Sequence, residues 1–183
     1  MKKIVAITGI IGLAALSRLL PHPPNFTAIG AIALFGGAMY KHKIWSFIIP
    51  LIALWASDLI INNALYGSYY EGFAWLTPGA AWIYLGVIAM VIIGILRIRK
   101  IGIKSIAIAG ISASLVFFLL SNFGAWMVSG LYPPTFAGLM SCYVAGLPFL
   151  LSTMAGTLFY SGVLFGGYVW ISKKYGLNEM VTV

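Results

Sequence analysis

"IWSFIIPLIALWASDLIINNAL", residues Ile44 to Leu65, is a 22-residue apolar run that holds one charge, Asp58, and one proline, Pro50. A helix needs about 20 apolar residues to cross the hydrocarbon core of a bilayer, so this run reads as a membrane span. The carboxylate then becomes the question. At 1.5 Å per residue, Asp58 lies about 21 Å from the basic end of the span, in the outer third of the membrane. A carboxylate in a transmembrane helix costs about 2.5–3.5 kcal/mol on insertion scales, so it must face the interior and have a partner.

The rest of the chain supports that reading. Of 183 residues, 62% are hydrophobic and only 8% charged, with a mean hydropathy of +1.03. Soluble domains carry roughly 25% charged residues. An integral membrane protein of one domain, residues 1–183, is therefore expected. Five further apolar stretches accompany the first: Ile4–Leu20, Phe26–Tyr40, Leu76–Leu96, Ile103–Trp126 and Gly146–Ile171. Long unbroken runs without alternation point to an all-α bundle of six transmembrane helices and not to a β-barrel. Phe26–Tyr40 is the shortest and is rich in Gly and Ala.

The net charge of +8 does not signal nucleic-acid binding, because the cations flank apolar runs and form no basic stripe with interleaved aromatics. Lys2, Lys3, Lys41, Lys43, Arg97, Arg99, Lys100, Lys104, Lys173 and Lys174 fall on one face of the six-span topology. Arg18 alone falls on the other. The positive-inside rule then puts both termini in the cytoplasm, and a multi-pass chain of the inner (plasma) membrane is expected. "MKKIVAITGIIGLAALS" has the elements of a cleavable signal, but cleavage would leave five spans, and an uncleaved helix is the preferred reading. Small residues four apart (Ser105, Ala109 and Ala113; Gly162 and Gly166) suggest close helix packing within the bundle. No repeat relates the two halves, so an inverted-repeat transporter is not indicated.

The outer face receives the elaborate connections: "PHPPNFT" (21–27), "NNALYGSYYEGFAWLTP" (62–78) and "SGLYPPTFAGLMSCYVAG" (129–146). Loops rich in amides and aromatics on one face suggest a ligand site, against the alternative of an interfacial aromatic belt. Arg18 shares the depth of Asp58, and an Arg18–Asp58 pair is expected. Asn62 follows Asp58 at i+4, and Asn122 ends the fifth span with Trp126 one turn beyond. With His22 and Asn25 these residues form a candidate outward-facing cup. Tyr66, Tyr69, Tyr70, Glu71 and Trp75 are candidates to cover it, and Tyr132 and Cys142 are candidates from the third connection. Tyr and Trp offer rigid area with one polar tip, suited to a flat organic ligand.

One cysteine excludes an internal disulfide and any cysteine-cluster metal site. HExxH, GxSxG, a phosphate-binding glycine loop and paired carboxylates are all absent. No cofactor and no enzymatic activity are expected. The alternative is a membrane enzyme acting on a lipid or quinone at the outer interface through Glu71, His22 or Cys142.

"RLLPHPPNFTAIGAIALFGGA", "SNFGAW", "YPPTFAGLMSCYVAGLPFLLSTMAGTLFYSGVLFG" and Asp58 together resemble a group of small bacterial membrane proteins without an assigned role. That group is related to the substrate-binding S components of energy-coupling factor (ECF) vitamin transporters. The resemblance covers nearly the whole chain. It implies six helices, cytoplasmic termini, and a vitamin-sized pocket formed by the outer helix halves and loops one, three and five. It also implies a vitamin-like substrate, with an ECF coupling subunit and ATPases as partners. "YYEGFAWLTPGAAWIYLG" is faintly similar to the third-loop region of solitary vitamin B12 transporters, which makes cobalamin a candidate. The cysteine that can meet cobalt there is absent, and Phe73, Ala74 and Trp75 occupy the position. On the first helix, where docking S components often carry Ala pairs four apart, only Thr8 and Gly12 offer a weak version.

Overall fold

The computed structural model describes residues 2–175, with side chains described from Val5 onward. The expectations resting on the side chains of Lys2 and Lys3 and on the C-terminal residues after 175 lie outside the described residues. The described chain is all-helical. Six helices follow one another: α1 (Lys2–Leu16), α2 (Ile29–Met39), α3 (Lys43–Ile60), α4 (Ala80–Arg97), α5 (Ile103–Val128) and α6 (Phe136–Tyr175).

Four segments are long and apolar enough to cross a membrane: Lys43–Leu65, Ala80–Arg97, Ile103–Val128 and Phe136–Tyr175. Leu13, Ile52, Leu151 and Trp170 are each more than half exposed on helix surfaces. Apolar surface of that extent calls for lipid around it.

Two of the six expected spans fall short of a crossing length, α1 with fifteen residues and α2, and the second helix departs further. It has eleven residues, about 16 Å of rise, against a hydrocarbon core of about 30 Å. Pro23, Pro24 and Asn25 delay its start, Asn25 adopting φ 61°, a left-handed conformation that asparagine tolerates better than most residues. A helix this short cannot span. It is instead enclosed: ten of its eleven residues are buried, and it touches α1, α3, α4, α5 and α6. Ala31, Ile32, Ala33, Leu34 and Phe35 are fully inaccessible. The Phe35 ring meets those of Phe165 and Tyr168 edge-on, at 5.0 and 5.9 Å.

Glycines set the closeness of this packing. Gly37 faces the Val91 carbonyl, and a Cβ on Gly94 would come within 2.6 Å of the Leu34 carbonyl. The α2–α4 crossing therefore brings backbone onto backbone. Gly36 accommodates the ring of Pro50 and Gly30 the side chain of Thr157. Ala109 and Ala113 are buried as expected, and Gly110 between them lies against Leu158. Gly162 and Gly166 are different: nothing lies within 4 Å of a Cβ built on either, so they are not packing sites within this bundle. Ser105 is a turn residue, its hydroxyl donating to the carbonyls of Lys100 and Gly102, 2.9 Å each.

Three other boundaries differ from expectation. Pro78 and Gly79 (φ 77°) belong to the connection, so α4 starts at Ala80 and not at Leu76. The third helix widens beyond Ile60, where the Tyr66 amide reaches back five residues to Ile61 at 3.0 Å. The largest difference is at α6, which begins at Phe136, ten residues before the expected Gly146. Pro133 and Pro134 precede it, and the Gly138 amide donates to the Thr135 hydroxyl at 3.1 Å, an N-cap of the usual Thr type. Gly138 serves a close approach to the Pro133 carbonyl and does not break the helix.

Gly94→Leu should therefore lower stability by roughly 1–3 kcal/mol through overpacking at α2, whereas Gly166→Ala should stay within about 0.5 kcal/mol of the parent. Thermal unfolding of the purified variants in detergent measures both.

Candidate functional site

Polar chemistry gathers at the end of the bundle opposite Lys41, Lys43 and the α4–α5 turn, and it divides into two groups. The first is the ion pair. Arg18, in a 3-10 turn that follows α1 (Ser17–Leu19), places Nη2 2.8 Å from Asp58 Oδ1. The two side chains are only 12% and 18% exposed, so the pair fastens α1 to α3 inside the protein. Arg18 Nη1 donates to the Ser57 hydroxyl and to the Leu54 carbonyl at 3.4 Å. Ser57 in turn donates to Ala53 and Leu54 carbonyls at 2.8 and 2.9 Å. The expected pairing of Arg18 with Asp58 is thus present in the structure.

Asn62 does not join Asp58. Its Nδ2 donates to the Thr77 hydroxyl, 3.0 Å away, across the 62–78 connection. Asn63 was not singled out from the sequence, yet it does more. Its Oδ1 accepts the Ala74 amide at 2.8 Å while its Nδ2 donates to the Ala74 and Leu59 carbonyls at 3.0 and 2.9 Å. One amide side chain thus supplies the paired bonds of a neighbouring strand. The adjacent amides "NN" pin residues 66–79 onto the end of α3.

The second group lines a pocket. Asn25, Pro78, Gly79, Ile83, Phe117, Ser121, Asn122 and Phe149 surround a cavity of about 260 Å³ between the 21–27 loop, the start of α4 and the facing parts of α5 and α6. Asn25 and Asn122 both line this cavity, whereas Asp58, Asn62, Trp126 and His22 are not in its wall. The single cup is corrected to one pocket and one ion pair. Ser121 is the polar wall residue that was not singled out from the sequence, nor were the apolar Ile83, Phe117 and Phe149; it sits beside Asn122 in "SNFG", the hint the sequence offers.

Local structure holds this pocket open. The Asn25 loop is tied by Phe26 N–H to Pro23 O and Thr27 N–H to Asn25 O, 3.0 Å each. The Phe26 ring packs on Phe159 and Tyr160 at 5.8 and 5.9 Å. Gly156 allows the Phe26–Thr27 backbone to lie directly on α6. Asn122 donates from Nδ2 to the Phe118 carbonyl at 2.9 Å, and its Oδ1 rests against Gly146. A side chain at 146 would displace the amide.

The other candidates are placed as follows. His22 Nδ1 is 3.0 Å from the Pro23 carbonyl. Cys142 is buried within α6, not in a loop, and its thiol donates to the Asn122 carbonyl at 3.4 Å. It is a packing residue beneath the pocket wall. Trp126 donates from Nε1 to the Pro133 carbonyl at 3.0 Å, holding the α5–α6 turn. Tyr66 and Tyr69 are exposed and pack on each other at 6.0 Å. Phe73 and Trp75 do the same at 4.7 Å. Tyr70 and Tyr132 are half-buried and Glu71 is exposed. None of these aromatics lines the pocket. Among the described residues, no three His, Cys, Asp or Glu side chains converge in a way that would hold a metal ion.

Residues 1–180 match the model of a family described as a family of unknown function (DUF6580), and the chain belongs to that family. No curated protein and no solved structure matches it.

Removing one partner of the ion pair strands a buried charge. Asp58→Ala should cost about 3–5 kcal/mol, while Arg18→Met with Asp58→Leu should recover most of that loss. Unfolding midpoints of the three variants, compared in one detergent, give the answer.

Proposed function

For this member of the family, we propose a substrate-binding membrane transport protein of S-component type, taking up a small vitamin-like molecule. The observation that carries the reading is the Asn25–Ser121–Asn122 pocket. Polar side chains inside a lipid-embedded bundle are costly and mark pathways or binding sites. Here two amide residues and a serine share the lining with Phe117 and Phe149, the composition of a small-molecule site: apolar walls with a few polar groups. Its wall holds no ionisable side chain, which favours an uncharged, flat, hydrogen-bonding ligand.

At about 260 Å³ the cavity is near the small end of ligand sites, about 300–1,000 Å³. That volume favours a one- or two-ring ligand over cobalamin, which is many times larger. A further feature supports passage inward. Thr157, Ser161, Tyr168 and Ser172 share the buried face of α6, and the hydroxyls of Thr157 and Ser161 have no hydrogen-bond partner among the described residues. This stripe leads from the level of the first outer loop towards the basic end. It offers polar footing to a ligand when α2 and α6 part. The pocket opens outwards, the basic connections lie in the cytoplasm of the inner membrane, and an ECF-type coupling subunit with ATPases supplies the energy.

The test is native mass spectrometry of gently purified protein. A small molecule should co-purify, and Asn122→Ala should reduce its occupancy about tenfold, the loss of roughly one hydrogen-bonded contact in a dry site. Occupancy unchanged from the parent in both Asn122→Ala and Ser121→Ala would rule out this pocket as the binding site. Turnover of an added lipid or quinone by the isolated protein would favour the enzyme instead.

A further inference from the structure

At the opposite end of the bundle the α4–α5 connection forms an open concavity of about 880 Å³. Arg97, Arg99, Lys100 and Lys104 line it, and all four are exposed. Four cations within eight residues repel one another, so their convergence needs a cause in the fold. Ile98 supplies it: it is 4% exposed, plugged into the core, and its amide bonds the Gly94 carbonyl at 3.1 Å. Burying Ile98 turns its neighbours Arg97 and Arg99 outwards together. Ser105 then fixes the turn with its two carbonyl bonds, to Lys100 and Gly102, which keeps Lys100 and Lys104 on the same rim.

No carboxylate answers these charges among the described residues. Asp58 is engaged by Arg18 at the other end, and Glu71 lies in the second outer connection. The concavity also has an apolar side. Ile103 and Ile108 both line it and are 91% and 47% exposed, which gives the charged rim an apolar wall beside it. Free phosphate needs no such wall, and a topology signal needs no concavity.

We propose that this α4–α5 concavity binds one anionic phospholipid carrying more than one phosphate. The Arg97, Arg99, Lys100 and Lys104 side chains hold the headgroup, and an acyl chain lies along Ile103 and Ile108. A headgroup with a single phosphodiester leaves most of the four charges unanswered. One with two phosphates matches them better, as in other basic pockets between transmembrane helices.

The full chain, purified in detergent, tests this by native mass spectrometry with four probes. These are tetraoleoyl cardiolipin, dioleoyl phosphatidylglycerol, dioleoyl phosphatidylcholine and inorganic pyrophosphate. One cardiolipin should be retained about tenfold over phosphatidylcholine and several-fold over phosphatidylglycerol. Arg99→Gln with Lys100→Gln removes two exposed charges and should lower that retention about tenfold. Lys173→Gln with Lys174→Gln removes the same charge elsewhere on this end and should change it less than about twofold. Equal losses in the two double variants would mean diffuse surface attraction and overturn the site. Equal retention of phosphatidylglycerol would overturn the two-phosphate headgroup. Displacement of the lipid by equimolar pyrophosphate would make this a free-phosphate site and overturn the lipid.

Discussion

Inside a bilayer every backbone N–H and C=O must find its partner within the protein, because the surroundings offer none. That constraint governs the placement of α2. A helix of eleven residues cannot carry its unpaired ends across the hydrocarbon, so the other five helices surround it. The glycines of α2 and α4 follow from this. Gly37 and Gly94 let two backbones meet where larger residues would hold α2 away, and close approach is how helices gain packing when lipid competes equally for their apolar faces. The half-length helix also leaves space beyond its N-terminal end. The loop containing Asn25 occupies part of that space, and the polar pocket lies next to it.

The polar residues of this end have separate tasks. Arg18, Asp58 and Ser57 tie α1 to α3, and Asn62 and Asn63 hold the second outer connection on α3. Asn25, Ser121 and Asn122 line the pocket of about 260 Å³. This division matters for mutagenesis. A variant at Asp58 reports on the integrity of the bundle, while one at Ser121 reports on the pocket. Gly146 belongs to both, since it makes room for the Asn122 amide while seating α6 on α5.

Much of this was legible in the sequence because the physics involved is local or singular. Apolar length and flanking cations mark the long helices. Arg18 and Asp58 are isolated opposite charges at the same depth, each in need of a partner, and they find each other. The extent of α6 was not legible: Pro133-Pro134 and two glycines resemble a loop, yet Thr135 caps the helix and each glycine answers a contact from another segment. The cup was misread because i, i+4 spacing gives a shared helix face but not where that face points in the bundle. Asn63 escaped notice because its role depends on Ala74, eleven residues away in an irregular segment.

An outward-facing pocket beside an enclosed α2 is the central claim, and side-chain accessibility in intact cells tests it most directly. In a Cys142→Ala background, Ser121→Cys should react with a membrane-impermeant maleimide applied from outside. Lys41→Cys, at the basic end of α2, should react only after the membrane is opened, and Ala33→Cys, at the centre of α2, only after unfolding. Labelling of Lys41→Cys but not Ser121→Cys in intact cells would contradict the orientation, and labelling of Ala33→Cys in the folded protein would contradict the enclosure of α2.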